Sequence, residues 1–104
     1  MKHVIILFLL TLSCIPNSYA KEQIYYFNTQ EFAPFNYTLN NKVAGPVVDI
    51  LNEVCKKIEI NCVSNSLPWR RAQKDVKLGL ADGLFVVGHN KKRESWLYFS
   101  LPII

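Results

Sequence analysis

Gly45-Pro46-Val47-Val48-Asp49-Ile50-Leu51-Asn52-Glu53-Val54-Cys55-Lys56-Lys57-Ile58 is the stretch from which the fold follows. Pro46 suits the first position of a helix, where its missing N–H removes no hydrogen bond. Val47, Ile50, Leu51, Val54, Cys55 and Ile58 then recur three and four residues apart, with Asn52, Glu53, Lys56 and Lys57 opposite them. Asp49 falls in the first turn and the two lysines near the last, as the helix dipole favours. This pattern predicts an amphipathic helix with the apolar set as its buried face.

Working outward, residues 24–28 read Ile-Tyr-Tyr-Phe-Asn, a run of large β-formers that predicts a buried first strand opening into a loop at Thr29-Gln30-Glu31. Between that strand and the helix, residues alternating around Asn40-Asn41 predict a small hairpin. Downstream, residues 61–64 fit a second strand. Residues 68–78 fit a second helix, with Trp69, Ala72 and Val76 on one side and Gly79 as its stop. Leu84-Phe85-Val86-Val87 is short and apolar enough for a buried parallel strand, and residues 88–95 read as a polar loop. Strands alternating with helices describe βαβ units, hence an α/β fold with a mostly parallel sheet flanked by helices. Ligands of such sheets sit at the carboxyl ends of the strands, so the loops at 30–35 and 88–95 are the expected site.

The amino terminus has the three parts of a secretory signal peptide: basic Lys2 and His3, an apolar run from Val4 to Ile15, and a polar exit ending Ser18-Tyr19-Ala20. The run is shorter than the roughly twenty residues that span a bilayer. Thr11-Leu12-Ser13 before Cys14 departs from a lipid-attachment signal, which favours a cleaved form over an anchored one. Residues 1–20 are therefore expected to be a cleavable signal peptide. Taking 20 residues from 104 leaves 84, enough for one small core and no second domain. Removing Lys2 takes 12 basic residues to 11 against 8 acids, a net charge of +3. Such mild, dispersed basicity gives no reason to expect a nucleic-acid partner.

Cys55 and Cys62 survive cleavage, and an even count in an oxidising compartment favours a disulfide over free thiols, metal binding or catalysis. Closing a loop of about eight residues would stabilise the fold by roughly 2 to 3 kcal/mol on the chain-entropy account. Neither a nucleophile elbow nor a phosphate-cradling glycine loop nor a zinc-protease helix motif appears. Glu31, Asp49 and Asp82 read as a loop charge, a helix-start charge and a strand-start residue. No cofactor or metal is expected.

Phe32-Ala33-Pro34-Phe35 after the first strand, the Gly45-to-Asp49 helix start, Cys55 and Cys62, Pro68-Trp69, Gly79-x-x-Asp82-Gly83, and Arg93-Glu94 before Tyr98-Phe99-Ser100-x-Pro102 together resemble the bacterial extracellular solute-binding proteins of family 3. The resemblance implies the first lobe of a periplasmic binding protein-like (type II) fold, with residues 21–104 as an incomplete lobe 1. It implies a periplasmic receptor for a small polar or anionic molecule, an amino acid or a relative. The implied partner is an ABC-transporter permease, with a monomer as the default state. Half of a two-lobed cleft is expected to bind weakly or not at all by itself.

By the same resemblance Phe32 stands where an aromatic stacks on the ligand, Trp69 forms a second wall, Arg93 takes a ligand carboxylate, and His89 falls among polar ligand-binding loop residues. Amino-acid binders often carry small hydroxyl residues after the third strand, where this chain has Val86-Val87-Gly88. Each hydrogen bond so lost to an α-amino-acid headgroup is worth roughly 0.5 to 1.5 kcal/mol. Other readings stand beside these. Phe32 and Trp69 suit a core, Arg70 and Arg71 a solvated helix start paired with Asp75 or Asp82, Lys91-Lys92-Arg93 an exposed basic turn, and His89 an ordinary loop residue. Relatives of this fold also include dehydratases of cyclic amino-acid precursors, domains preceding cell-wall lytic modules, and sensor lobes of membrane receptors.

Overall fold

The computed structural model describes residues 22–103, so the expected signal peptide and Cys14 lie outside the described residues. Strand β1 (Ile24–Thr29) is the middle of a three-stranded parallel sheet, between β4 (Asn61–Ser66) and β5 (Gly83–Leu84). All six residues of β1 pair with β4, from Ile24 opposite Asn61 to Thr29 opposite Ser66. The chain leaves β1 through a hairpin, β2 (Tyr37–Leu39) and β3 (Lys42–Ala44), and then helix α1 (Pro46–Lys57). Asn40 and Asn41 turn the hairpin at φ 49° and 63°, left-handed values that asparagine tolerates.

From β4 the chain passes through α2 (Trp69–Lys77) to reach β5 on the far side of β1. Crossovers of one hand running in opposite directions put α1 and α2 on opposite faces of the sheet. The loops leaving β1 and β4 therefore diverge, opening a crevice at the carboxyl ends of the strands.

The core sits under α1, where Val47, Val48 and Phe85 are buried and Phe27, Phe35, Val43 and Leu51 pack against them. The buried stripe of α1 is thus Val47, Val48, Leu51 and Cys55. The expected face also held Ile50, Val54 and Ile58, which are exposed. A one-residue rotation of the stripe explains this: Val48, left out of the spacing, points inward and the Ile50-Val54-Ile58 row turns out. Cys55 and Cys62 form the expected disulfide, Cα atoms 6.3 Å apart, tying the end of α1 to the start of β4.

Helix α2 buries only Ala72, with Trp69 and Val76 half-covered, and Arg71 pairs with Asp75 one turn on. The third strand departs from expectation. β5 is confined to Gly83–Leu84, and Val86 adopts φ 55°, which turns the chain off the sheet before residues 84–87 can complete a strand. A β-branched residue is strained there. The structure compensates where the ladder stops: Phe85 N–H donates to the Asn28 carbonyl (3.1 Å), and the buried Thr29 hydroxyl donates to the Phe85 carbonyl (3.0 Å). Asp82 anchors the other end of β5 reciprocally, its backbone N–H donating to the Tyr26 carbonyl and its carboxylate accepting from the Tyr26 N–H, both at 2.8 Å.

Candidate ligand-binding site

Three loops rise from the carboxyl ends of β1, β4 and β5, and between them lies a cavity of about 840 Å³. The β1 loop brings Gln30, Phe32 and Phe35 to it. A backbone bridge between Phe32 and Asn36 closes this loop into a tight unit, and the carbonyl of Phe35 accepts the N–H of Val47 at 3.1 Å, fixing the loop to the start of α1. Asn36 is fully buried beneath, its amide donating to the Gln30 carbonyl. Glu31 faces the hairpin instead, accepting the Thr38 N–H at 2.7 Å. The Phe32 and Phe35 rings lie 5.6 Å apart and 15° from parallel. Phe32 is 48% exposed, so its role is not that of a core residue.

The loop after β4 places Trp69 at the first residue of α2, half-buried against the same cavity. The segment expected to be a plain polar loop at 88–95 instead contains a short helix, α3 (Lys91–Glu94), capped by the Asn90 side chain, which accepts from the Arg93 N–H at 2.8 Å. An asparagine followed by charged helix-formers was the signal for it in the sequence. This turn points Lys91 and Lys92 to solvent while half-covering Arg93.

The guanidinium carbon of Arg93 lies 5.6 Å from the Trp69 ring centroid, a cation–π distance, and Nη1 donates to the Gly88 carbonyl at 2.7 Å. Among the described residues, the carboxylates paired with a basic side chain are Asp75, with Arg71, and Glu94, which contacts His89; neither is paired with Arg93. Arg93 therefore presents fixed positive charge and unengaged N–H donors toward the cavity. His89 reaches the rim too. There its Nε2 lies 2.5 Å from Glu94 Oε1, and its ring lies 4.4 Å from that of Phe99.

Phe32, Trp69, His89 and Arg93, which come from loops and helix starts far apart in sequence, are thus all brought to one cavity. Phe35 lies in the loop 30–35 where the site was expected, though it was given no role of its own; sequence reasoning missed Val47, Phe85 and Phe99, which complete the apolar wall, and the segment 99–103, which runs along its edge. Phe35 was visible as the second aromatic of Phe-Ala-Pro-Phe, whereas Phe85 read as a buried strand residue and Phe99 as part of the Tyr98-to-Pro102 motif, with no sign in either that it borders a cavity. Beside it, a smaller cavity of about 380 Å³ shares Gln30 and Trp69 and adds Glu31, Ser66 and Pro68. Among the described residues, no group of three or more His, Cys, Asp or Glu could hold a metal ion.

A sequence model of the bacterial extracellular solute-binding proteins, family 3, matches residues 26–104. No curated protein matches the chain. Among solved structures, substrate binding domain 2 of GlnP from Lactococcus lactis, in its open conformation, is similar with a TM-score of 0.65 and 25% identity, over 73% of this chain and 34% of that one. A Salmonella typhimurium periplasmic binding protein of high arginine specificity gives a TM-score of 0.69 at 24% identity, over 77% of this chain and 37% of that one. The substrate binding protein of an amino acid ABC transporter gives 0.55 at 16% identity, over 69% and 35%. The chain spans about a third of the length of these structures, and its parallel sheet with flanking helices matches one lobe of their fold.

Proposed function

The chain belongs to the bacterial extracellular solute-binding proteins, family 3, and on that premise we propose that its cavity holds a small anionic solute, with Arg93 gripping the anion and Phe32 and Trp69 as walls. The observation that carries this reading is the state of Arg93. Its guanidinium is oriented by Trp69 and the Gly88 carbonyl, has no carboxylate partner among the described residues, and borders a largely apolar cavity. A planar fork fixed in this way suits bidentate recognition of a carboxylate. His89 stands at the rim as a weaker contact, since Glu94 and Phe99 already engage its ring.

In this proposal the chain is exported, its signal peptide is removed after Ala20, and it serves as the receptor lobe of an ABC transporter in the periplasm. A second lobe would close over the solute by a hinge motion, and the closed form would dock on a permease. One lobe supplies only part of the contacts, so binding by this chain alone is weak, about millimolar.

Ligand-observed NMR on the chain against small carboxylates, neutral sugars and amines tests the reading. The expected result is saturation transfer to carboxylates only, abolished in Arg93→Gln. Preference for sugars or amines, or carboxylate binding that survives Arg93→Gln, would overturn it. So would micromolar affinity, because it would mean that one lobe makes a complete site.

A further inference from the structure

Resting on the reading of Arg93 as the anion grip, the surroundings of that residue limit what else the ligand carries. The carbonyl of Gly88 accepts from Arg93 Nη1 and that of Phe85 from the Thr29 hydroxyl. The Glu94 carboxylate is held by His89. Val86 and Val87 stand among the residues that border the cavity, and none of the described lining residues is acidic. An ammonium group placed one carbon from a bound carboxylate would therefore lie beside the guanidinium. Its like charge would be repelled there, no carboxylate of the described lining residues would face it, and the Gly88 and Phe85 carbonyls each already accept one hydrogen bond. The rest of the wall is flat and apolar, with the outer face of Phe32 exposed and Phe35 stacked behind it.

We propose that this lobe selects a carboxylate carried on a flat apolar body without an α-ammonium group, in preference to the α-amino acid of the same body. Gln30, which also lines the cavity, offers a neutral amide to any hydroxyl or carbonyl on that body. The selection is made by charge and hydrogen bonding at Arg93, with shape supplied by the aromatic wall.

Three probes of one skeleton test it on the chain: 3-phenylpropionate, L-phenylalanine, and phenethylamine. The readouts are the Arg93 Nε–H and Trp69 indole N–H resonances. The expected result is half-saturation by 3-phenylpropionate at a concentration at least about fivefold below that of L-phenylalanine, the equivalent of one unmade hydrogen bond, and no response to phenethylamine. A smaller advantage, or tighter binding of L-phenylalanine, overturns the selection while leaving Arg93 as a carboxylate grip. Shifts with phenethylamine, or with neither acid, would remove the carboxylate grip and the selection with it.

Discussion

Replacing Gly45 by alanine is expected to loosen the joint on which the cavity wall is built. Gly45 sits at φ 121°, where an L side chain is strained, and an added Cβ would lie 2.7 Å from the carbonyl oxygen of Phe35 and 3.0 Å from the Asn36 Cα. Both are backbone atoms, so no rotamer change relieves the clash. The Phe35 carbonyl must move, and it is the acceptor for Val47 N–H at the start of α1. Backbone strain of about 1 to 3 kcal/mol and one weakened hydrogen bond of about 1 kcal/mol give a loss of about 2 to 4 kcal/mol. For a domain of this size each kcal/mol shifts the melting temperature by roughly 4 to 8 °C, so a drop of at least about 8 °C is expected.

Gly79 provides the control. It too has positive φ, 75°, but an added Cβ meets nothing within 4 Å. Gly79→Ala should therefore cost only the conformational preference, about 1 kcal/mol. Thermal and urea unfolding of the two variants, followed by circular dichroism on the oxidised chain, compares them directly. If Gly45→Ala were no more destabilising than Gly79→Ala, the account of how the Phe35 loop is fixed to α1 would be refuted.

Thr29→Val keeps the shape of a fully buried side chain but strands the Phe85 carbonyl, so urea unfolding should show a loss of about 1 to 3 kcal/mol. Reducing the Cys55–Cys62 bridge, or replacing both cysteines by serine, should lower stability by roughly 2 to 3 kcal/mol, read as a shift in urea midpoint on adding reductant to the wild-type chain and no shift in the variant. Asp82→Ala frees the Tyr26 N–H at an exposed position and should cost about 1 kcal/mol, with faster amide exchange at Tyr26 as its local signature.

Much of the fold was legible because its elements are local. The Asn40-Asn41 turn, Pro46 at the head of α1, the dipole-matched charges and the Cys55–Cys62 pair each act within a few residues of chain, and each stands where the spacing put it. The errors arose where tertiary contacts decide. Val48 rather than Ile50 faces the core because the β2–β3 hairpin and Phe35 pack on that side of α1. Val86 and Val87 leave the sheet although they are good strand formers, because the backbone turns at Val86 to carry the chain toward Gly88 and α3. The strand order placed the loops holding Phe32, His89 and Arg93 at the site, but the part of Trp69 and the individual roles of the four were legible only through family resemblance. Composition alone would have left Arg93 beside Lys91 and Lys92 as one more surface cation. The side chain that distinguishes it, Trp69, lies 24 positions earlier.

The central claim is that Arg93, set against Trp69 at the carboxyl ends of the strands, is where this lobe takes its solute. Titrating 3-phenylpropionate into isotope-labelled chain and mapping every shifted amide and side-chain resonance tests it in one experiment. The account predicts shifts confined to Arg93, Trp69, Phe32 and their neighbours in the cavity wall, absent in Arg93→Gln. Shifts centred on the opposite end of the sheet, around Ile24 and Asn61, or an unchanged response in Arg93→Gln, would contradict it.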